Sequence, residues 1–101
     1  MKTEEELERI YDNAEEKVPS GTFWRHIKSG NIYHTLMAVL REEDCIPLVV
    51  YHGFHTPTLP YKTPYKRPRA WPLDAFLQKF QRITRTEASK ELNESREKSD
   101  V

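Results

Sequence analysis

A chain of 101 residues with 16 Lys+Arg against 16 Asp+Glu has room for one small domain and no formal charge at neutral pH. That excludes the cationic excess of a general nucleic-acid binder and the acidic excess of a nucleic-acid mimic. A single cysteine, Cys45, excludes an intramolecular disulfide, and no apolar run is long enough for a signal peptide or a membrane span, so the expectation is a soluble, cytoplasmic protein that touches no membrane.

Thr3, followed three residues later by Glu6, forms a capping box, and Leu7, Ile10, Tyr11, Ala14 and Val18 then share one helical face. This predicts an amphipathic helix from Thr3 to about Lys17, closed by Pro19-Ser20-Gly21. Residues 1–17 hold seven acids and three bases. The acidic face of the helix is a solvated surface or a contact for a basic partner. From Thr22 the period changes: Phe23, Arg25 and Ile27 alternate with Trp24, His26 and Lys28, which is strand spacing, and Ser29-Gly30-Asn31 supplies the positive-φ residues of a hairpin turn. The return strand, Ile32 to Leu40, carries large apolar side chains on both faces, so both faces need cover. Arg41 to Asp44 is a polar turn, and Ile46 to His52 a third strand containing Leu48-Val49-Val50-Tyr51.

Gly53 to Arg67 is a long connection containing Pro57, Pro60 and Pro64, with Pro68 and Pro72 following. Proline removes ladder donors, so at most a short edge strand fits, near Arg69 to Trp71. Pro72 is placed to open a second amphipathic helix, with Leu73, Phe76, Leu77, Phe80 and Ile83 on one face. Residues 84–101 are nearly all polar and are expected as a frayed helix or a disordered tail. The fold class these elements imply is α+β: a small antiparallel, SH3-like, partly open β-barrel or meander flanked by an N-terminal and a C-terminal amphipathic helix. The expected division is a helix over 1–18, the barrel with its closing helix over 19–83, and the tail.

The blocks Trp24-Arg25-His26-x-Lys28, Gly30-x-x-Tyr33, Leu48-Val49-Val50-Tyr51 and Pro72-Leu73-x-x-Phe76-Leu77-x-Lys79 stand in this order over residues 21–80. Together they resemble a short bacterial domain family of unknown function, marked by an aromatic-Arg-His-x-Lys-Gly start, a Leu-Val-Val-Tyr strand and a Trp-x-Arg-Pro-Leu-x-x-Phe ending. The resemblance implies the small β-rich fold and a bacterial or bacteriophage origin, and it brings no activity with it. This chain departs from that pattern by the extra Ser29, by Arg69 and Trp71 standing in exchanged positions, and by a longer Gly53–Arg67 connection.

His26, His34, His52 and His55, with Cys45, offer only one short-spaced pair, whereas zinc sites draw on several paired donors, so these side chains are read as structural and no metal or cofactor is expected. Cys45 follows three acids, which raise rather than lower a thiol pKa, and it is expected as a small hydrophobe at the start of the third strand. No phosphate loop, paired-carboxylate motif or catalytic triad is visible, which points away from an enzyme. The remaining chemistry lies in the proline-rich stretch. Tyr61, Tyr65 and Trp71 offer flat faces, while Lys62, Lys66, Arg67 and Arg69 offer charge, and residues 18–72 as a whole hold seven bases and three acids. Trp24, Arg25 and Lys28 of the first strand would extend this into one basic-aromatic surface if the edge strand lay beside it. The expectation is a non-enzymatic interaction module. Zero net charge and acidic flanks favour a protein partner, with single-stranded nucleic acid or a phosphate-bearing small ligand as the alternative.

Overall fold

Residues 2–55 and 67–99 are described by a computed structural model, the side chains of residue 55 and of residues 95–99 excepted. In chain order the elements are α1 (Glu4–Lys17), β1 (Phe23–His26), β2 (Ile32–Leu40), β3 (Pro47–His55), β4 (Arg69–Pro72), α2 (Leu73–Lys79), β5 (Phe80–Ile83) and α3 (Arg85–Ser99). The strands form one sheet in the order β4-β3-β2-β1-β5 with every neighbouring pair antiparallel. β1 to β4 are a meander, and β5 returns to the outer side of β1. Among the described residues the edges of β4 and β5 are therefore unpaired, and the sheet is open.

The start of α1 follows from its capping chemistry: Thr3 Oγ1 accepts the Glu6 N–H at 3.2 Å. At its end the Val18 N–H donates to the Ala14 carbonyl at 2.8 Å, and the chain turns through Gly21 at φ +78°, a conformation that costs glycine little. A polar joint then fixes the helix to the sheet. Thr35 is fully buried in β2, where its Oγ1 accepts the Thr22 N–H at 3.0 Å and lies 2.9 Å from the Pro19 carbonyl, to which it donates. Thr22 Oγ1 in turn accepts the Trp24 indole N–H at 2.8 Å and donates to Pro19. Each buried polar atom of the joint has a partner, which burial of such groups requires.

The two faces of the sheet bury separate clusters. On one, α1 and α2 bring Ala14, Val18, Leu73 and Phe76 against Trp24, Tyr33, Val49, Tyr51 and Phe80. On the other, Ala88 of α3 closes over Phe23, Ile32 and Ile83. Phe80 and Ile83 are three residues apart in β5 yet belong to opposite clusters, as odd spacing in a strand demands.

This corrects the expected second helix. Helical periodicity over residues 72–83 stops at Lys79, because Phe80 to Ile83 pair with His26 to Phe23 as a fifth strand, and ladder bonds to β1 outweigh four more residues of short helix. Pro72 both ends β4 and stands as the N-cap of α2, one position before the first helical residue, Leu73. The polar segment after Ile83 is helical to Ser99: Thr84 Oγ1 accepts the Glu87 N–H at 3.1 Å, a second Thr-x-x-Glu start. β3 continues past His52 to His55, so Gly53 is a strand residue paired with Tyr33. Cys45 lies in the β2–β3 turn at φ +57° rather than in the strand, held there as its N–H donates to the Arg41 carbonyl at 2.8 Å.

Candidate functional site

The side chains gathered from the sequence divide among the core, the far face of the sheet and the free edge. Trp24 is 5 % exposed, with its indole N–H bonded to Thr22 and its ring edge-on to Phe76 at 5.2 Å, so it has no face to offer a partner. Arg25 points to the opposite side of β1, where it pairs with Glu91 of α3. Arg69 is placed by pairing with Tyr51, and Trp71 by pairing with Val49. Cross-strand partners share a face, and Tyr51 and Val49 belong to the cluster under α1 and α2. Arg25 and Arg69 thus stand on opposite faces, and β4 is separated from β1 by β3 and β2. The expected continuous surface joining Arg25 to the edge strand is not formed. Tyr61, Lys62, Tyr65 and Lys66 lie outside the described residues, and Arg67 is exposed immediately before β4.

What the fold does bring together is Lys28 and Trp71. The sheet curls until its two free edges approach, and Trp71 meets Phe80 edge-on with ring centroids 6.0 Å apart. In this seam a cavity of about 250 Å³ is lined by His26, Ile27 and Lys28 at the end of β1, Trp71 of β4, and Gln78 and Lys79 at the end of α2. The backbone fixes the assembly: the Ile27 N–H donates to the Lys79 carbonyl at 3.0 Å, which satisfies a carbonyl at the helix end and carries the β1–β5 ladder into the turn. Gly30, at φ +77°, then reverses the chain, its N–H donating to the His26 carbonyl at 2.8 Å.

Trp71 is the outermost ring of a continuous aromatic stack. Phe76 and Phe80 lie parallel at 4.2 Å, Tyr51 and Tyr33 pack on Phe80 at 5.4 and 5.5 Å, and Trp71 follows at the rim. One side of its ring is anchored by the core while 37 % of the residue remains exposed; Ile27 across the seam is 62 % exposed. Both are large apolar side chains that the fold has not covered, on either side of one cavity.

The electrostatics of the cavity are one-signed. Among the described residues its charged lining is Lys28 and Lys79, with no acidic side chain, and neither ammonium is in an ion pair among them. His26 registers both charges: burial holds its pKa below the ordinary imidazole value, and Lys79 and then Lys28 push it the same way. Its Nδ1 accepts the Ser29 N–H at 3.2 Å, so at neutral pH the ring proton sits on Nε2. Further along the same face, burial raises the Tyr51 phenol, Tyr33 adds to that, and Arg69 opposes it, which locates a third cation near the open edge.

Ile27, Gln78 and Lys79 are site residues that the sequence did not single out for this surface. Ile27 and Lys79 are 52 positions apart, and only the return of β5 to β1 makes them neighbours. An apolar residue interrupting a polar turn was the single available sign, at Ile27.

The three histidines whose side chains are described do not meet at one point. His34 Nδ1 and His52 Nε2 are 3.2 Å apart beneath α3, while His26 faces the seam, and among the described residues no group of three or more His, Cys, Asp or Glu could hold a metal ion. No described helix is long and apolar enough to cross a membrane. Comparison of the chain with family models, with curated proteins and with solved structures returns no match.

Proposed function

We propose that this protein is a non-enzymatic, cytoplasmic interaction module that binds and modulates a partner macromolecule, a protein, through a basic-aromatic surface centred on the open seam. Trp71, Lys28 and Lys79 form its described centre. Arg67 and Arg69 flank it, and the Tyr61-Lys62 and Tyr65-Lys66 pairs of the segment between β3 and β4 add the same chemistry. Trp24 and Arg25, committed to the core and to Glu91, are left out. We read the fold as a partly open SH3-like barrel. A four-strand meander, a short helix and a last strand returning to the first support that reading, and so does the bacterial or bacteriophage domain family that the sequence blocks resemble.

The observation that carries the proposal is the exposed Trp71 ring beside two ammonium groups that have no ion-pair partner among the described residues, around a cavity whose described lining holds no acid. Aromatic rings anchored by a core and left open at one side are what interfaces use for binding energy, because little side-chain entropy remains to be lost. The experiment is a pull-down from bacterial lysate, with and without nuclease, using the native chain and Trp71→Ala/Lys28→Glu/Lys79→Glu. A captured protein that survives nuclease and disappears with the variant, which still melts cooperatively as a folded protein, is the expected result. Capture that nuclease abolishes, with binding falling steeply between low and moderate salt, would instead favour single-stranded nucleic acid on the same side chains.

A further inference from the structure

The seam cavity has a size and a wall chemistry that narrow its occupant, given the reading of the seam as a partner surface. Small-molecule and cofactor sites enclose about 300–1,000 Å³; at about 250 Å³ and open to solvent, this one is too small for a nucleotide or cofactor and suits a single large side chain. Its apolar walls are Ile27 and Trp71, and its polar groups stand around them: the Lys28 and Lys79 ammoniums, the Gln78 amide and the neutral His26 ring. Lysine is a compact point charge without the fork that grips a phosphate in two places, and two ammoniums around one apolar hole do not trace a polyanion backbone. They match carboxylates placed on either side of an apolar residue.

We infer that the seam binds an acidic segment of a protein partner, inserting one large apolar side chain between Ile27 and Trp71 while flanking Asp or Glu carboxylates meet Lys28 and Lys79. The anchor displaces water from two walls that the fold leaves uncovered, which is the favourable part of burial. The carboxylates then form charge-assisted bonds at the rim of a partly desolvated site, where they set selectivity more than total affinity. The segment's own negative charge also raises the His26 midpoint, since it offsets the two lysines that hold it down.

The test uses the full chain and blocked pentapeptides, followed by the indole resonance of Trp71, assigned with Trp71→Phe, and by the ring resonances of His26. A peptide with central Phe and two acids on each side should shift both sets of signals and raise the His26 midpoint. Replacing the Phe by Ala, or the acids by their amides, should weaken binding at least tenfold. In Lys28→Gln/Lys79→Gln the acid and amide peptides should bind alike. Equal binding of the acid and amide peptides by the native chain, or no shift with the acidic Phe peptide at millimolar concentration, overturns the inference. The broader interface reading survives either result if capture from lysate still depends on Trp71. A decathymidylate that shifts Trp71 where the peptides do not overturns both.

Discussion

The face of the sheet under α1 and α2 and the face under α3 use the same strands, but different forces hold them. Under α1 and α2 the centre of the packing is aromatic, with Trp24, Tyr33, Tyr51, Phe76 and Phe80 linked by ring contacts and Ala14, Val18, Val49 and Leu73 around them. Under α3 the apolar cluster is smaller and shares the face with titratable groups, the Arg25–Glu91 pair and the His34–His52 contact. The proposed binding surface grows from the first face: Trp71 is the end of its ring stack. A partner would therefore dock on the part of the molecule held by the larger apolar core, while α3 rests on the smaller cluster and on charged groups that solution conditions can loosen.

Truncating the centre of the stack should have the largest effect. Phe76 is fully buried and touches the rings of Trp24, Tyr51 and Phe80, so Phe76→Ala should cost about 3–5 kcal/mol in chemical denaturation. Trp71→Ala, at the exposed end of the same stack, should cost clearly less, because 37 % of the residue is already exposed. If the two cost the same, Trp71 is a core residue and the contrast between anchored and available rings collapses. Next comes the polar joint. Thr35→Val keeps the shape but removes the acceptor of the Thr22 N–H and one of the two donors to the Pro19 carbonyl, leaving Thr22 Oγ1 as the other, and it should cost about 1–3 kcal/mol, with faster amide exchange at the end of α1.

Much of the first face was legible from the sequence, because its periods are clean. Thr3-x-x-Glu6 marked the start of α1, Ser29-Gly30-Asn31 the hairpin, and the prolines around Arg69 to Trp71 allowed only an edge strand. The second face was hidden for a physical reason. Phe80 and Ile83 fit a helical stripe as well as Phe76 and Leu77 do, and a spacing of three cannot separate one helical face from two opposite strand faces; the separation came from pairing with β1, 54 to 60 positions earlier. α3 has few apolar residues to display a period, although Thr84-x-x-Glu87 repeats the capping pattern of α1. The site was half legible for the same reason: Trp71 and Lys28 belong to marked segments, whereas Ile27 and Lys79 acquire their role from the closing of the seam.

Acid should act on the α3 face. His34 is held below the ordinary imidazole pKa by burial first and by His52 next; Arg85 adds to this and a backbone bond with Gly21 opposes it. The unfolded chain therefore takes up this proton more readily than the folded one. The contribution to stability is complete above the unfolded pKa of about 6.5 and is lost as pH falls from there through the lower folded value. His26 is depressed too and adds a loss of the same sign, so global melting alone cannot assign it. Amide exchange can: between pH 7.5 and 5.5, protection should fall in α3 in the native chain and hold better in His34→Asn. Equal loosening of α1 and α3 would erase the distinction between the faces.

The smallest expected effect is that of the Arg25–Glu91 pair, and it sharpens the comparison most finely. It joins β1 to α3 across 66 positions, which invites the view that it holds the helix down. Both side chains keep about a third of their exposure, 30 % and 37 %, so water and salt compete for each charge, and pairs of this kind contribute about 0.2–1 kcal/mol. A double-mutant cycle with Arg25→Ala and Glu91→Ala should return a coupling in that range at low salt and less at high salt. Ala88, buried in the apolar cluster beside Ile32, then has to account for most of the docking of α3. A coupling several times larger would mean that the second face is held by charge rather than by its small core, and high salt alone should then release the helix.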